Sequence, residues 1–501
     1  MKERKSYPKN EKKEIDILDL NDGKRRKSGK APAINKEFAI VTYVFLALFL
    51  CMTGYFIYFV GFQSEDFINN PYNARLATMA DYVIRGDILA EDGTILATTK
   101  VDEEGNESRY YPFGRTFAHA IGYADNGMAG VELSANYNLL RSNAFILTRI
   151  ANEVAGNKNQ GDDVVTTLDA TLQQACYDAL GGYDGAIICM EPETGKILAM
   201  VSKPDYDPNT IVQNWESYIS DDSESTVLLN RTTQGLYVPG STFKIMTLFA
   251  YLQQNHGDGG FGFDCNGAFS YQGQEMHCYN NTAHGQEDLQ DAFANSCNSA
   301  FSSIGLSLDL SSYRKLCEQL LFNRTLPANL GNTSKSRMTL TEDSSAALVM
   351  QTAIGQGETM VSPLHMAMIV SAIANDGRLM EPYVIDHVQN SNGIVVKQYN
   401  GRQADQLMTE EDAAIMREYL RRVVTDGTGK RLQSENYEAY GKTGTAEFSS
   451  NKNEDHSWFV GFAENDRGKT IAVAVVMEGV AAGNSYAVPA TRAIFDCYFA
   501  Q

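Results

Sequence analysis

With 501 residues, 43% of them hydrophobic, and 41 glycines, the chain is long enough for two or three domains and too apolar to be disordered. Its formal net charge of −20 argues against a nucleic-acid partner, since binding phosphate needs a cationic surface. The charge is unevenly split: residues 1–37 hold 12 Lys+Arg against 7 Asp+Glu, leaving 30 against 55 for the rest, so tail and body are expected to face different surroundings.

Residues 1–37 read as a basic tail that carries "KRRKSGK", Lys24 to Lys30. Residues 38–62, "FAIVTYVFLALFLCMTGYFIYFVGF", follow without a charged residue between Glu37 and Glu65. At about 1.5 Å per residue such a helix exceeds the roughly 30 Å hydrocarbon core. The following "GFQSEDF" offers no small-residue cleavage site, so an uncleaved transmembrane anchor is expected. The positive-inside rule puts the N-terminus in the cytoplasm and the remaining chain outside.

Residues 63–160 are polar and broken, with short strand-like pieces around the turn Asp92-Gly93, and read as a small stalk domain. Residues 161–501 form the second body. "GDDVVTTLDATLQQACYDALGG" predicts a strand and a helix capped by Asp169 and stopped at Gly181. Gly185 to Ser202 predicts two buried strands around a turn ending at Gly195. Helical and irregular patterns run from about Ile211 to Tyr437, and strands return in "EAYGKTGTAEF", "HSWFVGFAE" and "TIAVAVVME". Strands at both ends with helices between predict an α+β fold: one mainly antiparallel sheet, an inserted helical half, and a site in the cleft.

Three short motifs carry chemistry. In "YVPGSTFKIMT", Pro239-Gly240 is a turn signal and Ser241 opens an apolar helix, which puts Lys244 one turn away on the same face. A hydroxyl beside an ammonium at a helix N-terminus, with burial disfavouring the charged lysine, describes an activated nucleophile and its base. Ser-x-x-Lys recurs at Ser6 and Ser312 in polar settings, so spacing alone does not decide. Ser296-Cys297-Asn298 lies where one amphipathic helix gives way to another and supplies a hydroxyl and an amide two residues apart. Lys442-Thr443-Gly444-Thr445 lies on a late strand that can border a cleft, with a cation and hydroxyls for a carboxylate and a glycine that lets ligand approach.

Of the eight cysteines, Cys51 falls in the anchor, and Cys176, Cys189, Cys317 and Cys497 read as small core residues. Cys265 and Cys278 bracket a Gly-rich loop on the expected outer side and are predicted to pair as a disulfide. Cys297 is expected to be exposed and has no assigned role. His284 in "AHGQ" is read as ordering its loop. The seven histidines show no ligand spacing, so neither a metal nor another cofactor is expected.

The ordered set Ser-x-x-Lys, Ser-x-Asn, Lys-Thr-Gly matches the penicillin-recognising serine enzymes. The chain resembles the class B penicillin-binding proteins over nearly its whole length. Supporting segments are "NARLATMADYVIRGDILAEDGTILA", "GAIICMEPETGKILAMVSKPDYDPN", "LLNRTTQGLYVPGSTFK" and "AIGQGETMVSPLHMA", with "KTGTAEF" followed by "SWFVGFAE". Ala90 departs from the acidic residue usual there, and residues 63–160 are shorter than many pedestals.

The resemblance implies a membrane-anchored peptidoglycan D,D-transpeptidase, acylated by β-lactams, that crosslinks stem peptides. It implies Ser241 as nucleophile, Lys244 as its base, Ser296 as proton relay and Asn298 as a group orienting Lys244 and binding the substrate amide. Lys442 would supply positive potential, Thr443 and Thr445 would hold the substrate carboxylate, and the N–H groups of Ser241 and Thr445 would form the oxyanion hole. A partner polymerase of the SEDS family is implied as well. A β-lactam sensor and a D,D-carboxypeptidase or β-lactamase with the same motifs stay open, as does a role in division, elongation or sporulation.

Overall fold

The structure is a computed structural model that describes residues 36–60, 78–220, 224–448, 454–482 and 485–501. Residues 1–35 of the basic tail, the end of the expected anchor and the first part of the stalk lie outside the described residues. The chain divides into two compact units, residues 1–65 and 66–501.

The first unit is described as one helix, Lys36–Tyr58, long and apolar enough to cross a membrane. Its two threonine hydroxyls donate within the helix, Thr42 to Phe38 O and Thr53 to Phe49 O, both at 2.8 Å, so neither needs water.

The second unit is built on a five-stranded antiparallel sheet in the order Glu438–Glu447, Glu454–Glu464, Thr470–Ala481, Gly185–Met190, Ile197–Lys203. Gly185–Met190 and Thr470–Ala481, distant in sequence, pair because both are apolar on two faces and can be buried only together. Alternation sorts their side chains. Ile471, Val473 and Val475 pack with Leu172, Ile494 and Phe495 under the helices Ala170–Leu180 and Ala487–Ala500. Ala472, Ala474 and Val476 face the opposite core with Ile369 and Ile373, on the helix Pro363–Ala374. That helix is buried from Pro363 to Ile373 and is started by Ser362, whose hydroxyl accepts from His365 N. The caps expected at Asp169 and Gly181 are present, with Asp169 accepting from Leu172 N.

The stretch expected to be helical and irregular contains strands that polarity concealed. Gly262–Cys265 pairs with Gly285–Asp288, Ala268–Tyr271 with Gln274–His277, and Ile385–Gln389 with Val395–Gln398. These are half-exposed hairpins and ladders, without the continuous apolar runs of the central sheet.

A second sheet orders Val395–Gln398, Ile385–Gln389, Asp163–Thr166, Ile88–Leu89, Ile95–Val101 and Glu107–Tyr110. Val164 pairs with both Ile88 and Val388, so the ladder crosses the boundary expected at residue 160. Beneath this sheet Glu132 is fully buried between two arginines. Arg85 Nε donates to Glu132 Oε2 at 2.7 Å, Arg109 Nε donates to Oε1 at 2.6 Å, and Arg109 Nη1 donates to Gly86 O at 2.7 Å. Burial pushes the Glu132 carboxyl up, but Arg109 and Arg85 together hold it below its ordinary value. Its contribution to stability is therefore present at neutral pH and is lost as acid protonates it.

Replacing Glu132 by Gln leaves two buried guanidinium groups without a counter-charge. The expected loss is on the order of 3 kcal/mol in denaturant unfolding at neutral pH, shrinking in acid. An unchanged midpoint at neutral pH would show that the triad is not holding the N-terminal sheet.

Candidate active site

Ser241 is the one residue from Pro239 to Leu252 that is not buried. It sits in a 3-10 turn, Gly240–Phe243, that leads into the helix Lys244–Asn255. The helix proper thus begins at Lys244, three residues later than the serine. The turn is clamped by close backbone approach. Gly240 has φ +53°, and a Cβ there would lie 2.3 Å from Thr445 O. Gly240 N donates to Gly355 O at 2.9 Å, and a Cβ on Gly355 would lie 2.0 Å from Gly240 O. Glycines at 240 and 355 let the Ser241 turn and the Thr445 strand meet.

Lys244 is fully buried, and its Nζ donates to Ser296 O at 2.7 Å, Asn298 Oδ1 at 2.7 Å and Ser296 Oγ at 3.2 Å. Burial pulls its amine down to about 8, against the opposing pull of Cys297, Cys278 and Glu287. Asn298 Nδ2 in turn donates to His277 O at 3.0 Å. The Ser-x-Asn motif is therefore the acceptor set of the buried lysine.

The local backbone explains how. The helix Leu289–Ala294 ends with Ser296 at φ +58°, the left-handed position usually taken by glycine. Cys297 N donates to Ala292 O at 2.9 Å and Ser296 N to Phe293 O at 3.2 Å, the hydrogen-bond pair of a Schellman cap. Cys297 then caps the next helix, Asn298–Ser307, its sulfur accepting from Ala300 N. A non-glycine residue in this conformation carries strain of about 1–3 kcal/mol, and the Lys244 hydrogen bond to Ser296 O helps hold it.

Lys442, also fully buried, donates from Nζ to Thr443 O at 3.2 Å and lies over the Phe293 ring, 5.6 Å from its centroid. Burial and then the charge of Lys244 push its amine well below its ordinary value. Thr443 Oγ1 shares a 2.6 Å hydrogen bond with Thr428 Oγ1, and Thr445 is exposed at the rim. A Cβ on Gly444 would come to 2.9 Å of Thr242 Cγ2 and to 3.1 Å of Pro239 O, so glycine keeps this strand against the Ser241 turn.

Two contributors were missed in the sequence. Gly355 belongs to the segment "AIGQGETMVSPLHMA" and to none of the three motifs. The turn around Asp426-Gly427 touches two motifs: Thr428 N donates to Ala294 O at 3.2 Å and its hydroxyl meets Thr443. The clustered glycines at 427 and 429 were the available signal.

Residues 185–496 match the penicillin binding protein transpeptidase domain, and residues 85–164 match the penicillin binding protein A dimerisation domain. The chain belongs to the penicillin-binding protein transpeptidase family. It is 28% identical over 449 residues to the peptidoglycan D,D-transpeptidase MrdA of Acinetobacter baumannii, covering 78% of this chain and 66% of that protein. It is likewise 28% identical to the peptidoglycan D,D-transpeptidase PbpA of Mycolicibacterium smegmatis, covering 86% and 92%. Among solved structures, the imipenem acyl-enzyme complex of penicillin-binding protein A from M. tuberculosis superposes with a TM-score of 0.73 at 26% identity, covering 82% of this chain and 98% of that one. The class B assignment implied by the motifs and the α+β transpeptidase fold are thus both found in this penicillin-binding protein.

The cysteine expectations are corrected. Cys265 and Cys278 are free thiols with Sγ atoms 3.6 Å apart, far beyond the roughly 2.05 Å of a disulfide. Cys297 is buried rather than exposed, because it points inward between two helices. His284, read in the sequence as ordering its loop, joins these three cysteines in one cluster. Linear spacing of histidines could not reveal it, since three of the four groups are sulfurs carried by separate segments.

The lowered pKa of Lys244 sets a pH dependence. Below about 8 the amine is protonated and cannot accept the Ser241 proton, so the rate of acylation by a penicillin should rise through about pH 8 and level off above it. Lys244→Arg, which keeps the charge and cannot deprotonate, should reduce the rate by at least about 10² at every pH. A wild-type rate that is flat from pH 6 to 9 would remove Lys244 as the base.

Proposed function

We propose that the protein is a membrane-anchored peptidoglycan D,D-transpeptidase working through a Ser241 acyl-enzyme. One observation carries this reading: a fully buried lysine, its amine lowered to about 8 and partnered by neutral oxygens, one turn from the single accessible side chain of its run, Ser241.

Ser241 Oγ attacks the carbonyl of the penultimate D-Ala of a stem peptide while the Lys244 amine takes its proton. The peptide bond to the last D-Ala breaks, and the proton passes through Ser296 to the leaving amine. An amine of a neighbouring stem peptide then attacks the ester, forms the crosslink and frees Ser241. A β-lactam enters by the same attack, its ring amide opening to leave an acyl-enzyme. Lys442 raises the local positive potential, and Thr443 and Thr445 hold the substrate carboxylate. Asn298 orients Lys244 and hydrogen-bonds the substrate amide. The N–H groups of Ser241 and Thr445 receive the oxyanion, a contribution of about 10² to 10³ in rate for each donor.

Ser241→Ala should abolish covalent labelling by a fluorescent penicillin and leave the thermal transition in place. Stoichiometric labelling of the alanine variant would overturn the nucleophile assignment. Release of D-Ala with crosslinked dimers from polymeric substrate distinguishes the transpeptidase from a carboxypeptidase, which releases D-Ala without dimers.

The tail is placed in the cytoplasm and the second unit outside, supported by Lys24 to Lys30 before the apolar helix. Crosslinking needs glycan strands made by another enzyme, and a SEDS-family polymerase in the same membrane is the proposed partner. Thr42, Ala47, Thr53 and Gly54 are small residues along the helix that permit close helix–helix approach. Replacing residues 38–62 by an unrelated membrane helix should leave penicillin labelling intact and reduce crosslinking recovery of the polymerase. Absence of any polymerase with the native protein would remove the partnership.

A further inference from the structure

Beside the Ser-x-Asn motif, four donor atoms converge from separate segments. Cys265 ends the strand Gly262–Cys265, whose ladder partner Gly285 follows His284, so pairing brings these two side chains together. Cys278 follows the strand Gln274–His277 and is fixed by its N–H, which donates to Gly267 O at 3.0 Å. Cys297 is the residue between Ser296 and Asn298. Cys265 Sγ lies 3.6 Å from Cys278 Sγ and 3.4 Å from His284 Nδ1, Cys278 Sγ lies 3.7 Å from Cys297 Sγ, and all four donor atoms fall within 4.8 Å of one another.

We propose that Cys265, Cys278, His284 and Cys297 form a tetrahedral site for one zinc-class divalent cation, which positions Ser296 and Asn298 around Lys244. The distances fit the chemistry. Zinc–sulfur bonds of about 2.3 Å and a zinc–nitrogen bond of about 2.0 Å give tetrahedral edges of about 3.8 Å between sulfurs and about 3.5 Å from sulfur to nitrogen. Three thiolates and an imidazole select zinc over the hard cations, which prefer oxygen. The three sulfurs are at most 3% exposed. Two of them are also approached by backbone donors, Cys278 by Ser299 N at 3.5 Å and Cys297 by Ala300 N at 3.4 Å, the outer-shell hydrogen bonds that tune thiolate ligands. Such a set serves better as a structural site than a catalytic one, since all four positions are filled by protein.

The link to catalysis is one residue long on each side. Cys297 anchors the strained Ser296, whose carbonyl and hydroxyl accept from Lys244. Cys278 follows His277, whose carbonyl accepts from the Asn298 amide. A cation bridging Cys278 and Cys297 therefore fixes both sides of the Asn298 hydrogen-bond chain. These four are positioning residues that act through Ser296 and Asn298.

The test is metal analysis of the purified full-length protein after dialysis, together with replacement by Co²⁺. The expected result is one zinc per chain and, for the cobalt protein, an intense sulfur-to-cobalt charge-transfer band with the visible bands of a tetrahedral ion. Cys297→Ser and Cys265→Ser should each lose that band and bind zinc at least about 10-fold more weakly, whereas Cys317→Ser, a buried thiol elsewhere, should change neither. Because a ligand variant can fail to fold, the wild-type protein is also stripped by a strong chelator. Penicillin acylation should then fall and return on adding Zn²⁺, with far-ultraviolet circular dichroism retained. Metal absent from the purified protein and no charge-transfer band with Co²⁺ would overturn the site, as would a Cys265–Cys278 disulfide in mass mapping. Chelator-stripped protein that acylates at the full rate would overturn the positioning role. Ser241 labelling by penicillin in metal-loaded protein reports on the proposed function separately.

Discussion

Lys244 Nζ is fully buried among Ser296 O, Ser296 Oγ and Asn298 Oδ1, and an amine in that position stays functional only if three separate parts of the chain are held to a fraction of an ångström. Burial lowers the cost of losing its proton, and the three oxygens keep it aimed. None of the oxygens bears a charge, so no fixed ion pair locks the ammonium in place. That choice distinguishes Lys244 from Glu132, whose two arginines favour its charged form. The first arrangement suits a group that must trade a proton, the second a group that must not.

The rest of the second unit supplies the rigidity that Lys244 needs. The apolar helix Lys244–Asn255 is buried through Leu252, and Thr247 ties it to Tyr313 and to Ala353 O by hydrogen bonds of 2.7 and 2.8 Å. The central sheet brings Lys442 and Gly444 to the same cleft, and Trp458 on the next strand donates to Val238 O at 3.1 Å, just before the Ser241 turn. Glycines 240, 355 and 444 stand where a side chain would force these pieces apart. A cleft assembled from a sheet edge, a helix start and a helix end tolerates little error in any of the three.

The segment from Gly262 to Asn298 begins with four short, largely exposed strands. Polar hairpins of this size are marginal by hydrophobic burial alone. Their order comes from cysteine contacts beneath the loop and from backbone pairing such as Cys265 with Gly285. Side chains outside the three motifs bear directly on the motif geometry here, as Thr428 does at Thr443.

Much was legible in the sequence because it was local or strongly patterned. Gly185 to Ser202 predicted two buried strands around a turn, Asp169 and Gly181 predicted a helix with its limits, and Pro239-Gly240 before an apolar helix placed Ser241 and Lys244 together. Motif order along the chain was enough to name the family. What the sequence could not determine is set by contacts between distant residues. The left-handed Ser296, the approach of Gly355 to Gly240, the meeting of Thr428 with Thr443 and the second sheet that joins Val164 to Ile88 and Val388 leave no periodic trace. The cysteines show the difference most clearly. Their spacing alone suggested a disulfide and an exposed residue. In the fold one hairpin, the ladder that encloses it and a helix junction gather Cys265, Cys278, His284 and Cys297 into one cluster. Local sequence determines which elements form; which side chains meet depends on how those elements pack, and packing is a property of the whole chain.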